Sequence, residues 1–296
     1  MGDDQNKTFL KGLFKYIRIR YPLFIHIPTA LLGFVIARNF NPMLIFFVSA
    51  SLAFGHFFVN SVNDLYDLDT DTVHEVKRIE NPIVSGELSM RQGQVLTASF
   101  PVIALLLAVP TNMVWFSMML ICIFLGWSYS MKPFRTRTKP LGFFLNESVG
   151  AAIQFLLAYL SASINSGLAF QWWIWVFALF ILGANGIMVC KDIPDVESDR
   201  HAGMMNFTQA YGIEVTRWFV IAMALLTLAS GLVLTAIHVV SIIGLVFVIL
   251  GTVLALTTMA KPAERLKDRQ TIYQRLPPAS ILYTLGILVG AITMLW

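Results

Sequence analysis

Long apolar runs, broken by proline or glycine, limit what this chain can fold into more than any other feature. A helix needs about 20 mostly apolar residues to cross a bilayer. Such runs fall at 22–38, 42–62, 93–109, 112–130, 141–163, 169–190, 217–237, 239–258 and 278–296. Pro22, Pro42, Pro110, Pro140, Gly167 and the Pro277-Pro278 pair mark their ends. Inside lipid only helices and closed barrels satisfy their own backbone. The pattern therefore predicts an all-α, multi-pass membrane protein of nine transmembrane helices, with no strands. Runs three and four are parted only by Pro110-Thr111-Asn112 and should form a tight helical hairpin; runs seven and eight divide around His238. Composition agrees: 57% of the 296 residues are hydrophobic and 13% charged, about half the soluble norm. The mean hydropathy is +0.71.

Basic residues orient such a chain, because they collect on the cytoplasmic side. Of the 21 Lys and Arg, Arg38 alone falls on the opposite side from the rest once the runs are drawn. The expectation is a cytoplasmic N-terminus, an external C-terminus and one domain over 1–296. Residues 1–21 form a polar, basic cytoplasmic segment unlike a cleaved leader, and 63–92 and 191–216 are cytoplasmic loops. The pI near 9.1 reflects this partition rather than a nucleic-acid surface. Cys122 and Cys190 both lie in apolar runs, which supports neither a disulfide framework nor a thiolate metal site.

Against this apolar background the acids are concentrated. More than half of the 17 lie in two short stretches, 64–80 and 192–199. Asp64, Asp67 and Asp71 stand at i, i+3 and i+7, and Asp192, Asp195 and Asp199 repeat the spacing. At about 100° per residue these offsets share one helix face. Asp69 and Glu197 point elsewhere and should be solvated. Three carboxylates on one face repel one another unless a cation lies between them, and hard oxygen ligands suit magnesium, which binds through a few carboxylates plus substrate phosphates. Two such clusters facing each other would hold metal ions bridging to one diphosphate. Asn60, Asn63 and Asn185 are placed to add neutral oxygen ligands. Solvated acids capping helix ends are the bland alternative, and the duplicated spacing argues against it. A calcium loop would need a turn glycine and a distal glutamate that the pattern lacks.

Cations flank both motifs. Lys77, Arg78 and Lys191 lie within or beside them; Lys132, Arg135, Arg137 and Lys139 follow Tyr129-Ser130 and offer donors to phosphate, although the orientation signal alone would also place them there. Asn146 and Glu147 lie near the cytoplasmic end of the fifth run, where an acid is a functional candidate or reaches out to water. His26, His56 and His238 are lone histidines on apolar runs, expected to pack rather than ligate.

Together these residues resemble the UbiA superfamily of intramembrane prenyltransferases. The resemblance covers nearly the whole chain. It rests on the nine-span plan, on N-D-x-x-D-x-x-x-D at Asn63, Asp64, Asp67 and Asp71, and on Pro82-Ile83-Val84-Ser85-Gly86. It also rests on the Tyr-Ser pair before a basic loop and on the string Lys191-Asp192-Ile193-Pro194-Asp195-Val196-Glu197-Ser198-Asp199-Arg200. The last looks most like the homogentisate, chlorophyll and geranylgeranylglyceryl-phosphate branches. The resemblance implies a central cavity and two or more magnesium ions held by Asn63 and the six aspartates. It implies a prenyl diphosphate donor gripped by Lys77, Arg78, Lys132, Arg135 and Lys191, with Asn60, Tyr129, Asn146 and Glu147 also lining the substrate site. A hydrophobic or aromatic acceptor then takes the prenyl group; capture by an internal alkene, as in the superfamily's terpene cyclases, is the alternative. A transporter would carry its charges deep in the spans, whereas these acids lie near one surface. One departure stands out: the family usually has arginine directly before the Pro-Ile-x-Ser-Gly segment, and this chain has Asn81, leaving Arg78 or Lys77 to reach phosphate instead.

Overall fold

A computed structural model of the protein describes residues 2–20, 22–73, 77–164, 170–201 and 205–295. Gly167 and residues 202–204 of the second motif loop lie outside the described residues. Every regular element among the described residues is helical. In chain order these are α1 (Gly2–Ile17), α2 (Ile27–Ile36), α3 (Pro42–Tyr66), α4 (Leu68–Val73), α5 (Lys77–Glu80), α6 (Met90–Ala108) and α7 (Met113–Ser130). They continue with α8 (Gly150–Ser163), α9 (Trp173–Gly186), α10 (Val196–His201), α11 (Phe207–Ala236), α12 (Ile242–Met259), α13 (Ala263–Leu266), α14 (Arg269–Tyr273) and α15 (Leu276–Ile292). Wider π-helical turns at Pro22–His26 and Phe144–Val149 lead into α2 and α8, and a 3-10 segment, Ile187–Asp192, extends α9.

Seven described helical stretches are long and apolar enough to cross a membrane. The runs expected at 93–109 and 141–163 also fold as helices but fall outside that set. Helix α6 opens with Arg91, Gln92 and Gln94, and α8 has only 14 residues. The hairpin of runs three and four is present: α6 packs on α7, and the Asn112 side chain caps α7 by accepting from the Trp115 N–H at 3.1 Å. The other expected division falls at His238, whose φ of 58° turns the chain between α11 and α12.

The helices form two compact units. In the first, made of 1–23 and 42–136, α3 packs against α1, α6 and α7. Its core joins Tyr16, Phe57, Phe58, Val62, Leu88 and Phe100. Two buried polar pairs lie in this unit: the Tyr16 hydroxyl pairs with Thr97 Oγ1 at 2.8 Å, and Trp115 Nε1 donates to Ser51 Oγ at 2.8 Å. The second unit, 24–41 and 137–296, gathers α2, α8, α9, α11, α12 and α15. Here α2 lies against α8 and α15, and α12 against α15. At the last contact a Cβ on Gly244 would stand 2.7 Å from the Gly290 Cα, so only glycine lets the two backbones approach.

Both motif loops are shorter than the sequence suggests. Helix α3 runs on to Tyr66, carrying Asn63 and Asp64, because no proline or glycine intervenes to stop it. At the second motif α11 begins at Phe207 rather than near 217. Asn206 caps it by accepting from the Gln209 N–H at 2.9 Å. Gly212, at φ 85°, then bends α11 after its first turns, a conformation open to glycine at no steric cost.

Candidate functional site

In the first unit the helical bonding survives the break between α3 and α4. The Asp67 N–H donates to the Asn63 carbonyl at 3.0 Å and the Asp71 N–H to the Asp67 carbonyl at 2.8 Å. The i, i+3, i+7 face therefore continues, and it faces inward: Asp64, Asp67 and Asp71 are buried while Asp69 is exposed. Each carboxylate meets a different partner. Arg18 Nη2, just past the end of α1, donates to Asp64 Oδ1. Arg135 Nη2 lies 3.5 Å from Asp67 Oδ1. Asn81 Nδ2 donates to Asp71 Oδ2 at 2.9 Å. Asp64 Oδ2 is buried and accepts no hydrogen bond. Arg18 and Arg135 both adopt left-handed backbone, φ 45° and 37°, which costs a non-glycine residue roughly 1–2 kcal/mol.

The second unit repeats the theme. Asp192 Oδ2 accepts the Phe207 N–H at 3.3 Å, and Asp199 Oδ2 accepts from Asn206 Nδ2 at 2.7 Å. Asp195, more open than these two, lies 3.8 Å from Arg269 Nη1. The Asp199 N–H donates to the Asp195 carbonyl at 2.8 Å, keeping the two in helical register, and Glu197 is exposed. Lys191 Nζ stands 3.3 Å above the centre of the Phe143 ring, a cation-π contact that holds the ammonium beside Asp192 in sequence.

The remaining sequence candidates divide. Asn60 Nδ2 reaches the Ile17 carbonyl at 3.5 Å, and Asn185 Nδ2 the Ile181 carbonyl at 2.9 Å, so both amides turn toward helix backbone. Asn63, Lys77, Tyr129, Asn146 and Glu147 are half-buried, while Arg78 and Lys132 are exposed. His26 is buried, and its carbonyl accepts from Gln154 Nε2 at 2.7 Å. Sequence reasoning did not single out Arg18, Arg269 or Asn206. Their only signals were membership in basic loops and, for Asn206, an Asn-x-x-Gln string at a helix start.

Among the described residues no three His, Cys, Asp or Glu converge as a ready metal cage. The donor chemistry still fits magnesium: oxygen ligands only, one of them the unbonded, buried Asp64 Oδ2. A hard cation that keeps several waters and leans on substrate phosphates needs only a few protein oxygens.

A comparison with protein families matches residues 26–294 to the UbiA prenyltransferase family. The chain belongs to that family. Among related UbiA sequences, a chloroplastic 2-acyl-4-prenylphloroglucinol 6-prenyltransferase of Humulus lupulus is 31% identical over 166 residues, 53% of this chain and 39% of that protein. The digeranylgeranylglyceryl phosphate synthase of Methanocaldococcus jannaschii is 24% identical over 214 residues, covering 69% of this chain and 68% of the other. This UbiA chain thus spans less than half the length of the first of these relatives. Its fold is that of solved UbiA structures. A homolog from Archaeoglobus fulgidus bound to DMAPP and Mg2+ superposes with a TM-score of 0.69 at 20% identity, covering 95% of this chain and 99% of that one. The apo homolog from Aeropyrum pernix K1 gives 0.72 at 18% identity, covering 94% and 98%. With its apolar helices, the chain is an integral membrane protein.

Proposed function

We propose that this protein transfers a prenyl group from a prenyl diphosphate to a hydrophobic or aromatic acceptor within the membrane, with magnesium held by Asp64, Asp67, Asp71, Asp192, Asp195 and Asp199. The observation that carries the reading is the buried Asp64 carboxylate. It keeps one oxygen without a hydrogen bond beside an arginine, in a family whose members are named for prenyl transfer. The same-fold homolog that binds DMAPP and Mg2+ supports the choice of donor and ion.

When bound, magnesium would neutralise the diphosphate and make it a better leaving group. The chain's own residues supply the rest. Arg18, Arg135 and Arg269, which sit against motif carboxylates, would offer guanidinium N–H groups to phosphate oxygens. Lys191, held over Phe143, adds a further positive charge. The allylic carbon–oxygen bond breaks and its electron pair leaves with the diphosphate. The acceptor then bonds to that carbon and gives up a proton. Aromatic faces stabilise the cationic carbon and apolar walls exclude water. In this reading the chain crosses the membrane nine times, with its N-terminus and both motifs on the cytoplasmic side.

The test is diphosphate release by purified protein given magnesium and geranyl diphosphate, with and without a panel of aromatic and lipid acceptors. Asp67→Ala combined with Asp195→Ala should lower release at least about 100-fold. Unchanged release by that variant would sink the proposal. A cyclic hydrocarbon formed without acceptor would assign the same metal chemistry to a cyclase.

A further inference from the structure

Asn81 occupies the place where the resemblance expects a phosphate-binding arginine, and its surroundings give it a different task. It is 1% exposed. Its Oδ1 accepts from the Ile83 N–H at 3.0 Å and the Val84 N–H at 3.4 Å. Those two donors identify the oxygen end, so the NH2 end faces the motif. There Nδ2 donates to the Asp64 carbonyl and to Asp71 Oδ2, both at 2.9 Å. With two bonds given and two received, the amide has no capacity left for a ligand. An arginine here would accept nothing and would orphan the two backbone N–H groups.

The second motif, in the other unit, has the same device on a different backbone. Asn206 is 5% exposed; its Oδ1 caps α11, and its Nδ2 donates to Asp199 Oδ2 at 2.7 Å. In both places a buried asparagine, its oxygen held by two backbone N–H groups at Asn81 and by one at Asn206, turns its NH2 onto the third aspartate of the motif.

We infer that Asn81 and Asn206 are positioning residues that orient Asp71 and Asp199 for magnesium, an inference that rests on the function proposed above. A neutral amide suits this task where an arginine does not. It fixes the rotamer of a carboxylate through one oxygen and leaves its negative charge for the cation, whereas a guanidinium cancels that charge. Hydrogen bonds to metal-ligating carboxylates of this kind raise metal affinity by about 10–100-fold.

The experiment titrates magnesium into detergent-purified protein at fixed dimethylallyl thiolodiphosphate, a slowly reacting donor, and reads the unfolding temperature. Asn81→Asp and Asn206→Asp keep size but set an oxygen against each motif carboxylate. Each should raise the half-saturating magnesium concentration about 10–100-fold, over and above whatever it costs the unfolding temperature in EDTA. Asn39→Asp breaks a structural bond far along the chain from the motifs, Nδ2 to the Ala162 carbonyl at 2.9 Å. It should lower the EDTA value and leave the magnesium midpoint unchanged. Midpoints within twofold of the parent for both motif variants, or an equal shift in Asn39→Asp, overturn the inference alone. A parent protein that gains no stability from magnesium and donor overturns the functional reading as well. Should Asn81→Asp fail to fold, since Asn81 ties three segments together, Asn206→Asp decides by the same threshold.

Discussion

Replacing Arg18 with methionine isolates the electrostatics of the first motif. Asp64 is 1% exposed; one of its oxygens accepts from Arg18 and the other accepts no hydrogen bond. Removing one partner of a buried ion pair costs about 3–5 kcal/mol, because the other charge is left unpaired away from water. The Arg18 side chain is 36% exposed, so water reaches the vacated space and the lower figure applies. Methionine keeps the left-handed backbone at this position, so that strain cancels in the comparison. A cost of about 3 kcal/mol in a chain of this size corresponds to a fall of about 5 °C in unfolding temperature. The assay is thermal unfolding in detergent with EDTA, followed by the fluorescence of the chain's 7 tryptophans. Adding Asp64→Asn removes the stranded charge and should restore at least half of the loss. A fall under about 1 °C for Arg18→Met, or a double variant no more stable than the single one, would refute the argument that the arginine neutralises a buried carboxylate.

Two further outcomes follow from packing and charge. Gly244→Ala puts a Cβ 2.7 Å from the Gly290 Cα and 2.9 Å from the Gly286 carbonyl oxygen. It should destabilise by about 1–3 kcal/mol, whereas Gly150→Ala, with nothing nearer than 3.9 Å, should be neutral or mildly stabilising in the same melts. Glu87 loses some hydration by burial, which favours its neutral form. Lys11 and Lys15, each 2.8 Å from its Oε1, outweigh this and hold the carboxyl below the ordinary glutamate range. Its stabilising effect is thus fully present above that range and is lost as pH falls through the lowered value. Glu87→Gln should cost about 1 kcal/mol or less near neutrality and flatten the acid limb of a stability–pH curve, with melts from pH 7 to 3 as the measurement.

The helical class and the shared face of the first motif were legible because long apolar runs and the i, i+3, i+7 spacing are local signals. Asp69 and Glu197 proved exposed, as their offsets require. Loop lengths were less legible. Asn206 caps α11 well before the hydropathy signal begins, and α3 carries Asp64 because nothing stops it. The partners of the aspartates were not legible at all. Arg18 lies 46 residues from Asp64 in sequence, and pairing across such a separation depends on tertiary packing that a one-dimensional pattern does not encode. The Asn81 departure looked like a lost contact because the sequence shows which residue is missing but not the two N–H groups that its replacement satisfies.

Helix α2 also bears on how the chain is made. It ends at Ile36, yet one of the two helices against which it rests, α15, begins at Leu276. At about 5–20 residues per second, the ribosome needs on the order of ten seconds to a minute to add the intervening stretch. During that interval α2 sits in lipid without one of its walls. The Thr29 hydroxyl, buried in the finished protein, does not need that wall to be satisfied, because it donates within its own turn to the Ile25 carbonyl at 2.7 Å. Biosynthesis thus makes this helix well before one of the walls that enclose it, and the segment can wait because its buried hydroxyl is already bonded at home.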